Sequence, residues 1–162
     1  MLFNSYIFVF LFFPICLAGY YGLLHLQKKE AAGIFLTAMS FWFYGYFNVS
    51  YLLIMVCSIA GNYLFHRLLS RRQSKALVTA AVAANLGVLF YFKYFDFFLS
   101  TVNTVFGTSA ALRGILLPLG ISFFTFQQIS FVVDTYQGDV KDCPFVAYAL
   151  FVSFFPQLIA GP

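Results

Sequence analysis

The sequence predicts an all-α integral membrane protein, a polytopic bundle of about five to six transmembrane helices. Three observations lead there. Hydrophobic residues make up 62% of the 162-residue chain and charged residues only 9%, whereas a soluble domain carries about 25% charged residues. Mean hydropathy is +0.89. Apolar runs near the ~20 residues needed to cross a ~30 Å hydrocarbon core follow one another along the chain. Such runs must be helical, because hydrocarbon offers no partner to an unpaired backbone group and a barrel needs alternating strands.

The predicted spans, taken in order, cover about 3–26, 31–47, 51–69, 76–92, 115–136 and 145–159. The first ends at Gln27-Lys28-Lys29-Glu30. It lacks a charged n-region and an A-x-A cleavage site, so it reads as a retained span rather than a signal peptide. Ile15 before Cys16 also argues against a lipoprotein. The second span stops at Asn48-Val49-Ser50, a sequon placed too near the bilayer to serve as a glycosylation site. The third runs into Arg67, Arg71, Arg72 and Lys75. The fourth opens Ala-rich, as helices do where they approach closely. A polar break at 103–114, containing Arg113, separates it from the fifth. The loop 137–144 leads to the sixth. No repeat or linker is visible, so the segments read as one helical domain.

The turns at 27–30 and 67–75 hold six of the nine basic residues. With two spans between them they fall on one face, and the positive-inside rule makes that face cytoplasmic and the N-terminus external. The 24 Phe and 11 Tyr supply apolar surface, and Tyr at segment ends suits the headgroup level. A net charge of +4, confined to short turns, marks topology rather than nucleic-acid binding. Membrane lipid is the partner implied at this level.

Cys16, Cys57 and Cys143 are widely spaced, and no CxxC, HExxH or Cys/His ligand spacing exists. Neither a disulfide framework nor a metal site is expected. His25 and His66 lie in separate segments near basic turns and read as buried structural or interfacial histidines, remote from the polar fifth span. That span is the richest in polar groups. At 100° per residue, Gln127, Ser130 and Asp134 fall within about 60° of one another, while Thr125, Gln128 and Thr135 form a second strip offset by about 100°. Polar groups in a span are costly unless they meet partners or water. Two readings fit: a helix lining a polar cavity, or side chains that bond neighbouring helices. Lys93 and Asp96, three residues apart in an aromatic run, read either as an intramembrane ion pair on one helix face or as charges reaching the headgroups. At this point channel, transporter and membrane enzyme all stay open.

Two stretches point further. Leu117-Pro-Leu-Gly-Ile-Ser-Phe-Phe-Thr-Phe-Gln-Gln-Ile-Ser-Phe-Val-Val-Asp-Thr-Tyr136 and Phe154-Phe-Pro-Gln-Leu-Ile-Ala-Gly-Pro162 resemble paired signatures of the membrane-bound O-acyltransferase family, in its bacterial alginate O-acetyltransferase-like branch. Phe41-Trp-Phe-Tyr-Gly-Tyr46 and Phe90-Tyr-Phe-Lys-Tyr-Phe95 fit the same pattern. The resemblance implies the N-terminal portion of such a protein in a bacterial inner membrane. It implies an acyl group, acetyl above all, taken from a cytoplasmic donor (acetyl-CoA or an acyl carrier, as substrate and not as a bound cofactor). The acyl group would then cross to an exported polysaccharide, alginate-like or peptidoglycan, through extracytoplasmic acetyltransferase partners. The family's catalytic histidine lies beyond the second motif. No catalytic residue is therefore expected in this chain, and residues 1–162 alone are expected to be inactive. The rival is a non-enzymatic transport or structural module, which paired broken helices in two matching halves would favour; no such halves are visible.

Overall fold

The computed structural model describes residues 6–107, 118 and 120–160, without the side chains of Phe47 and residues 158–160. The start of the first predicted span, most of the break at 103–114 with Arg113, residues 115–117 of the fifth span and the closing Gly161-Pro162 lie outside the described residues. Among the described residues the structure is helical, as the composition requires, and the protein is an all-α membrane protein. Its helices are α1 (Phe8–His25), α2 (Lys29–Phe47), α3 (Val49–Arg71), α4 (Lys75–Lys93), α5 (Phe95–Phe106), α6 (Ile121–Gln137), α7 (Phe145–Ser153) and α8 (Phe155–Ala160). Of these, α1, α3 and α4 are each long and apolar enough to cross a bilayer. The chain divides into two compact units, Met1–Tyr63 with Lys141–Pro162, and Leu64–Val140.

In the first unit α1 opens with a π-helical turn over Phe8–Phe12. Pro14 stands two residues beyond it; it has no N–H to give to the preceding turn, and the widened turn accommodates that loss. The helix closes in a Schellman turn. Gln27 takes the left-handed position at φ 56°, Lys28 N donates to the Leu23 carbonyl at 3.1 Å, and Gln27 N donates to that of Leu24 at 2.9 Å. Glycine is usual at this position because a Cβ there is strained, so α1 is held to α2 by a tight turn and not by a floppy one. Gly19 lets the Phe35 ring lie against the α1 backbone. The core is aromatic: Phe8, Phe12 and Cys16 of α1 meet Phe43 of α2 and Phe155 of α8, with Met39 beside them. The Phe12, Phe43 and Phe155 rings stand 5.2–5.5 Å apart, centre to centre. Tyr63 joins α3 to α7, with its ring 5.1 Å from that of Phe145 and its hydroxyl donating to the Cys143 carbonyl at 3.1 Å.

The second unit is built on α4 and α6. Buried Ala81 of α4, Leu69 of α3 and Val132 of α6 form its core, flanked by Phe65, Leu77, Val78 and Tyr136. Alanines on α4 permit this closeness. Asn85, buried on α4, returns its amide to the Ala81 carbonyl at 2.8 Å, which keeps a polar side chain satisfied in the apolar interior. Glycines in the left-handed region bracket α6, Gly120 at φ 70° before it and Gly138 at φ 90° after it. At its end Gly138 N and Asp139 N both donate to the Asp134 carbonyl, at 3.1 and 3.0 Å. A side chain at Gly138 would meet Gln73 of the α3–α4 turn.

Candidate functional site

Helix α6 carries most of the polar residues that the sequence singles out, and its two strips have different surroundings. Thr125 (2% exposed), Gln128 (0%) and Thr135 (2%) are buried, together with Ile121, Phe124, Phe131 and Val132. The other strip faces outward from its unit: Gln127 and Asp134 are half-buried and Ser130 is exposed. Ser130 Oγ donates to Asp134 Oδ2 at 3.4 Å, one helical turn on. The Gln127 carbonyl oxygen is shielded from solvent and has no hydrogen-bond partner among the described residues. The structure thus joins Ser130 to Asp134 and separates both from the buried strip.

The buried strip holds a residue that sequence spacing sets aside. His66, in α3, is 2% exposed. Its Nδ1 lies 2.9 Å from Thr135 Oγ1, and its ring stands 4.9 Å from that of Phe131. The expectation that His66 lies away from the polar helix is therefore corrected: 69 residues separate His66 from Thr135 in sequence, and only folding against α6 brings them together. Thr135 Oγ1 also donates to the Phe131 carbonyl at 2.8 Å. A relay of two hydrogen bonds runs from the imidazole through the hydroxyl to the α6 backbone. His25 is exposed in the last turn of α1.

Lys93 and Asp96 do not share an uninterrupted helix. Lys93 ends α4, Tyr94 breaks the run with φ −115°, and Asp96 opens α5. Lys93 Nζ donates to Ser122 Oγ of α6 at 3.2 Å and sits 5.4 Å from the Tyr94 ring centre. The break falls within the aromatic run, where bulky rings stack locally, as Tyr91 does with Phe95 at 5.5 Å. Among possible nucleophiles, Cys16 is sealed in the aromatic core. Burial pushes the Cys143 thiol above its usual range, partly offset by a hydrogen bond with the Tyr148 backbone, the opposite of what a reactive thiolate needs. Among the described residues no three His, Cys, Asp or Glu side chains gather as a metal site would require.

With this geometry in view, known proteins supply the frame. Over its whole length the chain is 35% identical to a peptidoglycan O-acetyltransferase of Helicobacter pylori. It is 36% identical to proteins named "Probable alginate O-acetylase" from Pseudomonas aeruginosa and from Azotobacter vinelandii. The chain belongs to the membrane-bound O-acyltransferase family. It spans about a third of the length of these relatives, 36%, 32% and 34% respectively. No family model matches the sequence, and no solved structure does. The first stretch that resembles a family signature takes in left-handed Gly120 and α6 as far as Tyr136, and the second includes Phe155, a member of the first unit's aromatic core.

Proposed function

We propose that this chain is part of an O-acyltransferase that moves an acetyl group from a cytoplasmic donor across the bacterial inner membrane, for O-acetylation of an exported polysaccharide. The observation that carries the reading is the identity of 31–36% along the entire chain to proteins named as O-acetyltransferases of peptidoglycan or alginate. In this reading the donor is acetyl-CoA or an acyl carrier, used as substrate. The acceptor is alginate-like or peptidoglycan, reached through extracytoplasmic acetyltransferase partners. Gln127, Ser130 and Asp134 line the polar route. The buried strip of α6, with His66 bonded to Thr135, holds that helix in register.

The basic turns support an external N-terminus. Lys28 and Lys29 follow α1, and Arg71, Arg72 and Lys75 cluster where α3 ends and α4 begins, with α2 and α3 intervening. Reporter fusions at positions 29, 49 and 73 test this orientation; equal periplasmic activity at 29 and 49 would sink it. The acetylation reading is tested by disrupting the gene in its own host and assaying ester-linked acetyl on each exported polysaccharide. One polymer should lose most of its acetyl and regain it on complementation. Unchanged acetylation of every polymer would exclude the proposed role.

A further inference from the structure

Away from α6, the first unit carries three neighbouring recesses that share lining residues in turn, and their chemistry changes from one to the next. At the α1–α2 turn an open hollow of about 390 Å³ is bounded by Gln27, Lys28, Lys29, Glu30 and Ala31. A deeper recess of about 400 Å³ shares Lys29 and Glu30 with it and continues between α2 and α7 over Gly33, Ile34, Ala147 and Leu150. A third, of about 210 Å³, shares Ile34 and Val146 with the second and extends to Ala38 and Phe41. Small residues on both helices make the trough, namely Gly33 and Ala38 on α2 and Ala147 and Ala149 on α7, while Ile34, Phe41 and Leu150 wall it. Its one hydroxyl, that of Thr37, is already bonded to the Gly33 carbonyl at 2.9 Å, so the trough offers no polar group to a ligand.

The mouth is different. Lys29 and Glu30 are exposed side by side, and neither has an ion-pair partner among the described residues. One cation and one anion on a turn fixed by the Gln27 left-handed cap suit a headgroup that carries both charges. From Lys29 to Phe41 the helix rises about 18 Å at 1.5 Å per residue, close to the ~15 Å depth of one leaflet's hydrocarbon. A trough that is apolar for one leaflet and doubly charged at the membrane surface has the length and charge order of a phospholipid.

We propose that these recesses together bind one phosphatidylethanolamine molecule. Its phosphate meets Lys29, its ammonium meets Glu30, and one acyl chain lies between α2 and α7. The assignment is independent of the acetyl-transfer reading. Native mass spectrometry of the full-length protein, purified in detergent and titrated with phosphatidylethanolamine, phosphatidylglycerol or diacylglycerol, tests it. One phosphatidylethanolamine should be retained in preference to phosphatidylglycerol by about three- to fivefold, the upper part of the range expected of an exposed ion pair. Glu30→Gln, at an exposed position that leaves the fold intact, should bring that ratio near one. Ala147→Trp should fill the trough and remove both lipids, while Phe10→Trp, at a site exposed elsewhere in the unit, should not. Equal retention of the two phospholipids by the unaltered protein would overturn the headgroup assignment. So would retention of diacylglycerol as strong as that of phosphatidylethanolamine, or a ratio unchanged in Glu30→Gln. Undiminished lipid on a folded Ala147→Trp protein would overturn the trough.

Discussion

The two units close their interiors by different means. In the first, four phenylalanines from three helices meet at Phe8, Phe12, Phe43 and Phe155, with ring centres mostly 5–6 Å apart in tilted and edge-on arrangements. Such contacts are large but weakly directional. In the second unit helices are tied by pairs of polar side chains, His66 to Thr135 and Lys93 to Ser122, whereas the first unit's tie at Tyr63 reaches a backbone carbonyl, that of Cys143. Hydrogen bonds fix rotation and axial register in a way that rings do not. Helix α6 belongs to the unit whose register is specified by side-chain pairs, as expected if the positions of its polar side chains matter to the protein.

The comparison breaks first at Phe12. It is 1% exposed, and Phe12→Ala should destabilise the protein by about 3–5 kcal/mol. Phe10→Ala, at a residue 74% exposed, should stay within about 0.5 kcal/mol. Thermal unfolding in detergent measures both. Similar losses at the two positions would mean that the ring cluster does not hold the first unit. A smaller effect sharpens the contrast in the second unit. In a double-mutant cycle of His66→Phe and Thr135→Val, the coupling energy should be about 0.6–1.7 kcal/mol, the range for hydrogen bonds between membrane helices. A coupling of zero would remove the polar tie from the account.

Much of this architecture is legible in sequence because the bilayer leaves few choices. The helical class follows from hydropathy alone, whereas α6 begins at Ile121, just after left-handed Gly120, inside the 115–136 span that hydropathy groups together. Contacts distant in sequence are not legible. Helical spacing groups Thr125, Gln128 and Thr135 correctly, yet it cannot say which strip faces the unit's interior, since both are polar. Nor can it pair His66 with Thr135. The signal that was present is a histidine within an apolar run: a neutralisable side chain in that setting demands a hydrogen-bond partner, and the fifth span is the richest source of one. Lys93 and Asp96 stand on either side of a local break at Tyr94, which nothing in the Tyr91–Phe98 run marks with glycine or proline.

The smallest expected change in stability, and the most telling for function, lies on the outer strip of α6. Ser130 is exposed, and its bond to Asp134 is long at 3.4 Å, so Ser130→Ala and Asp134→Asn should each shift stability by no more than about 0.5 kcal/mol. Gln127→Ala should be equally mild, because the carbonyl oxygen it removes has no hydrogen-bond partner among the described residues. Thr135→Val, by contrast, removes a bonded hydroxyl from the interior. If the outer strip lines the acyl route, its substitutions should lower acetyl ester on the exported polymer while protein abundance in the membrane stays normal. Thr135→Val should instead lower abundance and acetylation together. The paired measurement is quantitative immunoblotting of membranes beside an ester-acetyl assay on the same cultures. Normal acetylation at normal abundance in both Gln127→Ala and Asp134→Asn would leave the outer strip as ordinary helix surface, and the polar route would have to be sought on other helices.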